Sequence, residues 1–276
     1  MGTSPGKIGT TVAWSSGYTG AGTRIAIIDT GTDTEHQSFN EAAYQYSLAY
    51  QAGLSKLSLE EYVESLDLLD VEEIAAVADQ LNITVDPESA YINSKIPFGY
   101  NYVDADYDVR HINDSMGEHG SHVSGIAAAN AYLLQEDGSF VPALQEVLVQ
   151  GVAPDAQIIT MKVFGKNGGA YTSDYMAAIE DAIVLGADSI NLSLGSAKYG
   201  NTRSDSQVYQ AIMDRLEDCG AVLCIRRQQL QPGRPDLHRQ PVYGRYPRLQ
   251  HGLSRLLHQF PGGGLCGQCR LYRPLL

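Results

Sequence analysis

Residues Thr23–His36 read TRIAIIDTGTDTEH, and the first half of that stretch decides the fold class. Thr23–Asp29 is a short apolar run, rich in β-branched residues, that stops in a turn. A strand buried on both faces has this composition, because helices cover a parallel sheet on each side. Asp29 then falls at the strand's carboxyl end, where open α/β sheets carry their chemistry. An Asx turn that merely closes the strand would also put an aspartate there.

The same pattern continues along the chain. Pro97–Val103 (PFGYNYV), Gln157–Phe164 (QIITMKVF), Asp188–Leu194 (DSINLSL) and Ala221–Ile225 read as strands. Gly120–Asn130, Ser173–Leu185 and Gln207–Asp218 read as helices, the second capped by Ser173 and ended by Gly186. Strands alternating with helices of this length are βαβ units, so the expected fold is α/β, an open parallel sheet with helices on both faces. Residues 39–95 interrupt the alternation. Ser58-Leu-Glu-Glu61 is a capping box, and Asp70–Leu81 sets apolar residues at helical spacing over an acidic face. This segment is expected to be a mostly helical, mostly solvated insertion.

The 276 residues carry a formal net charge of −13, which argues against a nucleic-acid partner. No apolar run approaches the ~20 residues that a membrane span needs. The start, MGTSPGKIG, lacks the apolar core of a signal peptide. Cys219 and Cys224, around a predicted strand, read as buried thiols. Cys266-Gly-Gln-Cys269 has the spacing of a redox motif without the strand–helix context.

Three short motifs carry the candidate chemistry. Asp29-Thr30-Gly31 is also the aspartic-protease triplet, but that chemistry needs a second triplet or a dimer in an all-β setting. Gly117–Ala129 (GEHGSHVSGIAAA) places His119 ahead of a helix built from small residues. Such a helix can approach its neighbours closely, which would fix a histidine at its start. A pair of capping histidines fits the same residues. So does a metal pair, His119 and His122, although the glutamate base of a metalloprotease motif is absent. Ser189–Ser196 (SINLSLGS) ends a strand at Ser193-Leu194-Gly195, where a plain glycine turn would look alike.

In this order, over roughly Ala13–Ile225, the motifs resemble the subtilisin family of serine endopeptidases. Asp29-Thr30-Gly31 with His36 matches the family's aspartate motif. His119-Gly-Ser-His-Val-Ser-Gly125 matches its His-Gly-Thr-His-Val-Ala-Gly. Gly151–Phe164 and Ser193–Gly195 match as well, and the long excursion after the aspartate is similar to the lactocepin-like, cell-envelope branch. The resemblance implies a subtilisin-like sheet, protein or peptide substrates, and an extracellular or cell-surface setting. It makes His119 the general base and Asp29 the group that orients its ring. Ser193, Leu194 and Gly195, with Gly168, Gly169 and Ala170, would be strand edges that flank an extended substrate. Calcium is common in the family, but no ligands can be assigned here, and no other cofactor is expected. The alternatives are a peptide-binding pseudo-peptidase without activity and a metal-dependent hydrolase.

The family pattern stops at Ile225. Residues 226–276 hold nine Arg, no Lys and Asp236 as the one acid, whereas residues 1–225 hold 31 acids against 10 bases. The family's oxyanion asparagine and its Gly-Thr-Ser nucleophile motif are both missing from this tail. Gly2-Thr3-Ser4-Pro5 mimics the second, but Ser4 is expected on a flexible terminus. Arg226–Gly233 written as CGC CGG CAA CAA CTC CAG CCC GGG reads, one base later, Ala-Gly-Asn-Asn-Ser-Ser-Pro, close to the missing stretch. The same shift turns His258–Arg273 into a strand and turn of family type. The sheet is therefore expected to be truncated after about residue 225, with an out-of-frame, poorly structured tail. Sequencing the gene across the Ile225 codon should reveal a one-base slip, and an uninterrupted frame with unrelated codons would contradict it.

Overall fold

The computed structural model describes residues 4–112, 114–194 and 203–225. Two short helices, α1 (Ser4–Ile8) and α2 (Thr10–Ser15), precede β1 (Arg24–Asp29). Four helices follow, α3 (Glu41–Ser55), α4 (Leu59–Ser65), α5 (Val71–Val77) and α6 (Pro87–Ala90), and then β2 (Phe98–Asn101). Helix α7 (His119–Ala128) leads into β3 (Tyr132–Leu134), β4 (Phe140–Pro142) and α8 (Ala143–Glu146). The remaining elements are β5 (Gln157–Lys162), α9 (Thr172–Val184), β6 (Ser189–Leu192), α10 (Arg203–Cys219) and β7 (Val222–Ile225).

Five strands form one parallel sheet in the order β2-β5-β1-β6-β7. The first strand in sequence is thus the central one, flanked by β5 and β6. Successive side chains of β1 point to opposite faces. Ala26 and Ile28 join Ile179 and Ala182 of α9 and Ile212 and Leu216 of α10 in the main core. Ile27 packs the other way, with Ile158, Phe39 and Ala128 of α7. Helices therefore cover both faces, as a parallel sheet requires.

The insertion is less solvated than its acidic sequence indicates. Leu69, Ile74 and Ala90 are buried in the main core. Polar anchors complete the attachment. Arg24, buried at the start of β1, donates to Asp67 (2.8 Å), Glu73 (2.7 Å) and the carbonyl of Leu185 (3.0 Å). Asp181 of α9 accepts from the backbone (2.7 Å) and side chain (2.9 Å) of Asn82, and from the Tyr102 hydroxyl (2.9 Å). The Gln157 side chain reaches Leu69 and Ser94. The short helices α5 and α6 bury one apolar residue each and α4 none, too few to register as a buried face in the sequence.

Four other expectations need correction. Ser173 does not cap α9: Tyr171 is its N-cap without a side-chain bond, and Ser173 lies in the first turn. Ser4 opens α1 rather than hanging on a loose end. Cys224 is exposed, because alternate residues of β7 point away from the core, Val222 among them. The antiparallel β3–β4 hairpin was not anticipated, although its turn carries Asp137-Gly138, a strong hairpin signal. The capping box of α4 is present as expected, with Ser58 and Glu61 bonded reciprocally.

Lys95 is fully buried, donating to the carbonyls of Pro154 (2.8 Å) and Ala156 (2.6 Å) and lying 5.0 Å from the Tyr44 ring centre. Burial lowers its pKa to about 7, partly opposed by the neighbouring Asp155. The unfolded chain, with lysine near its ordinary ~10.4, then binds more protons than the folded one above pH 7. Stability attributable to this group therefore rises with pH from about 7 upward. Urea unfolding at pH 7 and pH 9 should show that rise in the parent and a smaller one in Lys95→Met; equal slopes would contradict it.

Candidate functional site

Asp29 is the last residue of β1 and His119 the first of α7. The His119 Nδ1 lies 2.7 Å from Asp29 Oδ1. The carboxylate is 1% exposed and the imidazole 39%, so a buried acid holds a ring that opens to solvent. Asp29 Oδ1 also accepts from the amide of Thr30 at 2.7 Å. Its Oδ2 is buried without a hydrogen-bond partner among the described residues. The ring meets the acid through Nδ1.

One glycine permits this approach, and a second makes room for the loop beside it. A Cβ on Gly120 would lie 2.0 Å from the carbonyl oxygen of Gly31. A Cβ on Gly31 would lie 2.2 Å from the carbonyl of Val109, and its φ of +103° is strained for any other residue. The strand end and the helix start thus touch backbone to backbone. That contact brings the residues beside them within hydrogen-bond reach.

Hydroxyls and one ammonium tie the surroundings together. The Thr32 hydroxyl bridges Ser124 (3.0 Å) and Thr160 (2.9 Å) in the interior. Ser121 Oγ accepts from the Asp33 amide (2.6 Å) and pairs with His111 Nε2 (2.6 Å). Lys162, level with Asp29 in the β1–β5 register, donates to the Thr30 carbonyl at 3.1 Å and pairs with Asp114. Reading the sequence for catalytic residue types missed this shell. Its one visible signal was the run of small hydroxyl residues interleaved with His119 and His122.

The other candidates make no hydrogen bond to this pair among the described residues. His36 accepts the Ser38 amide at 3.2 Å and caps a short turn. His122 is exposed, and no group of three or more His, Cys, Asp or Glu gathers among the described residues. Ser193 and Leu194 follow the end of β6; since Ile28 pairs with Leu192, Ser193 comes level with Asp29. Ser193 donates to Asn191 Oδ1 at 2.7 Å, and Gly195 lies outside the described residues. Gly168, Gly169 and Ala170 form loop backbone between β5 and α9 rather than a strand edge, with Gly168 against Ser115 and Met116 and Gly169 open.

The family model described as the subtilase family matches residues 20–225. The PI-type proteinase of Lactococcus lactis subsp. cremoris is 34% identical over 217 residues, 77% of this chain and 9% of that protein. The minor extracellular protease Vpr of Bacillus subtilis (strain 168) is 29% identical over 195 residues, 69% of this chain and 16% of that protein. A C5a peptidase of Streptococcus pyogenes serotype M3 is 30% identical over 179 residues, covering 64% and 12%. The chain therefore spans only a small part of the length of these relatives.

Because the helix start rests on Gly31, Gly120→Ala should push α7 away from β1 and break the Asp29–His119 hydrogen bond. Proton NMR should show the far-downfield Nδ1 proton in the parent and lose it in the variant. A variant that keeps the resonance would contradict the packing argument.

Proposed function

Since the chain belongs to the subtilase family over residues 20–225, we propose that Asp29 and His119 are the acid and the base of a serine endopeptidase. The observation that carries this reading is the 2.7 Å contact between a buried carboxylate and a half-open imidazole. In such a pair the base takes the proton of an attacking serine at Nε2 and later returns it to the leaving amine. The aspartate keeps Nδ1 protonated, so that Nε2 is free to accept, and stabilises the imidazolium that forms. An unsatisfied buried carboxylate oxygen gains from a cation beside it, which favours that intermediate charge.

The nucleophile is the part still to be supplied. No Gly-Thr-Ser motif of family type follows His119 in these 276 residues. We read residues 1–225 as part of the peptidase domain, with residues 39–95 inserted, and residues 226–276 as out of frame. That tail lies outside the described residues. The 276-residue chain is then inactive by itself; loss of the nucleophile in subtilisin lowers turnover on the order of 10⁶. The intact product would cleave peptide bonds through an acyl-enzyme. An extended peptide would lie along Ser193–Gly195 and the Gly168–Ala170 loop, where Gly169 leaves room. One relative is named as an extracellular protease, and no described helix is long and apolar enough to cross a membrane. We accordingly place the parent protein outside the cell or on its surface.

A fluorophosphonate probe, which labels only an activated serine, tests both halves. The 276-residue chain should stay unlabelled, while the frame-restored product should be labelled and should hydrolyse an unstructured protein substrate. Labelling of the present chain would contradict its inactivity. A restored product that is folded yet unlabelled would contradict the enzyme assignment.

A further inference from the structure

We propose that Thr30 is a positioning residue that caps α7 from the neighbouring strand and so sets where His119 stands. Its catalytic meaning rests on the acid–base roles proposed above. The first amides of a helix have no intrahelical acceptor and are normally served by the side chain of the N-cap residue. In α7 the N-cap is Glu118, which makes no side-chain cap bond. The acceptor comes instead from the end of β1: the Gly120 amide donates to Thr30 Oγ1 at 2.9 Å. The same hydroxyl donates to the carbonyl of Gly117 at 3.2 Å. One hydroxyl thus uses its donor and an acceptor lone pair on residues that flank His119 on both sides.

The rest of Thr30 is held just as firmly. Its amide donates to Asp29 Oδ1 (2.7 Å), the oxygen that receives His119 Nδ1. Its carbonyl accepts from Lys162 Nζ at 3.1 Å, and the residue is 2% exposed. The β-branched side chain restricts χ1 and keeps the hydroxyl aimed. Carboxylate and ring are consequently referenced to one residue: Thr30 holds the first through its amide and the second through its hydroxyl. An unanchored helix start would let the ring drift relative to the acid.

The test uses the isotopically labelled 276-residue chain and reads the downfield His119 Nδ1 proton, assigned with His119→Gln, together with exchange of the Gly120 amide. In the parent the amide should exchange slowly, and a freely exchanging Gly120 would overturn the proposal without any variant. Thr30→Val keeps the shape and removes both bonds. It should lose the downfield proton and speed Gly120 exchange about tenfold, the equivalent of one such bond. Thr30→Ser keeps the hydroxyl and should retain both signals. A valine variant that behaves like the parent, or a serine variant that loses both signals, would overturn the capping role. A downfield proton in the parent that survives Asp29→Asn would instead defeat the acid–base pair itself, which separates the two failures.

Discussion

Backbone contact between Gly31 and Gly120 is the constraint on which the site depends. A strand end and a helix start cannot normally approach until their backbones touch, because the Cβ atoms intervene. Gly120 lacks one, and a Cβ there would meet the Gly31 carbonyl oxygen at 2.0 Å. Everything chemical follows from that proximity. His119 directly precedes Gly120 and Asp29 lies two residues before Gly31, so the contact sets the distance between the two.

The remainder of the fold keeps this contact from relaxing. β1 is central in the sheet, bonded along both sides, so Asp29 projects from the most constrained strand. Helix α7 packs its small residues against one face, while α9 and α10 bury the other. The insertion that follows the aspartate is stitched back by Arg24, Asp181 and Gln157, at buried positions where an unpaired amide would cost about 1–3 kcal/mol and an unpaired charge more. A long excursion beside the central strand is thereby made part of the scaffold.

Strand and helix periodicity carried the architecture well, since β1, β5, α7 and α9 have strong patterns and lie where the sequence places them within a residue or two. Asp29 and His119 stood out through the joint resemblance of three motifs, since a strand end or a small-residue helix alone fits an Asx turn or a capping histidine equally well. What stayed hidden has a common physical origin. Thr30, Ser121 and Lys162 act through distances between segments far apart in the chain, and a linear pattern does not encode those. The insertion buries isolated side chains, Leu69 between two short helices and Ile74 in one of them, so the stretch reads as solvated and acidic. Cys224 looked buried because strand composition does not say which face of β7 the helices cover.

In the proposed mechanism Asp29 works through His119 to move a proton. Steady-state kinetics of the frame-restored product with Asp29→Asn measure it most directly. This nearly isosteric change should leave the fold intact and reduce kcat on the order of 10⁴. An Asp29→Asn enzyme with the parent's kcat would contradict the account.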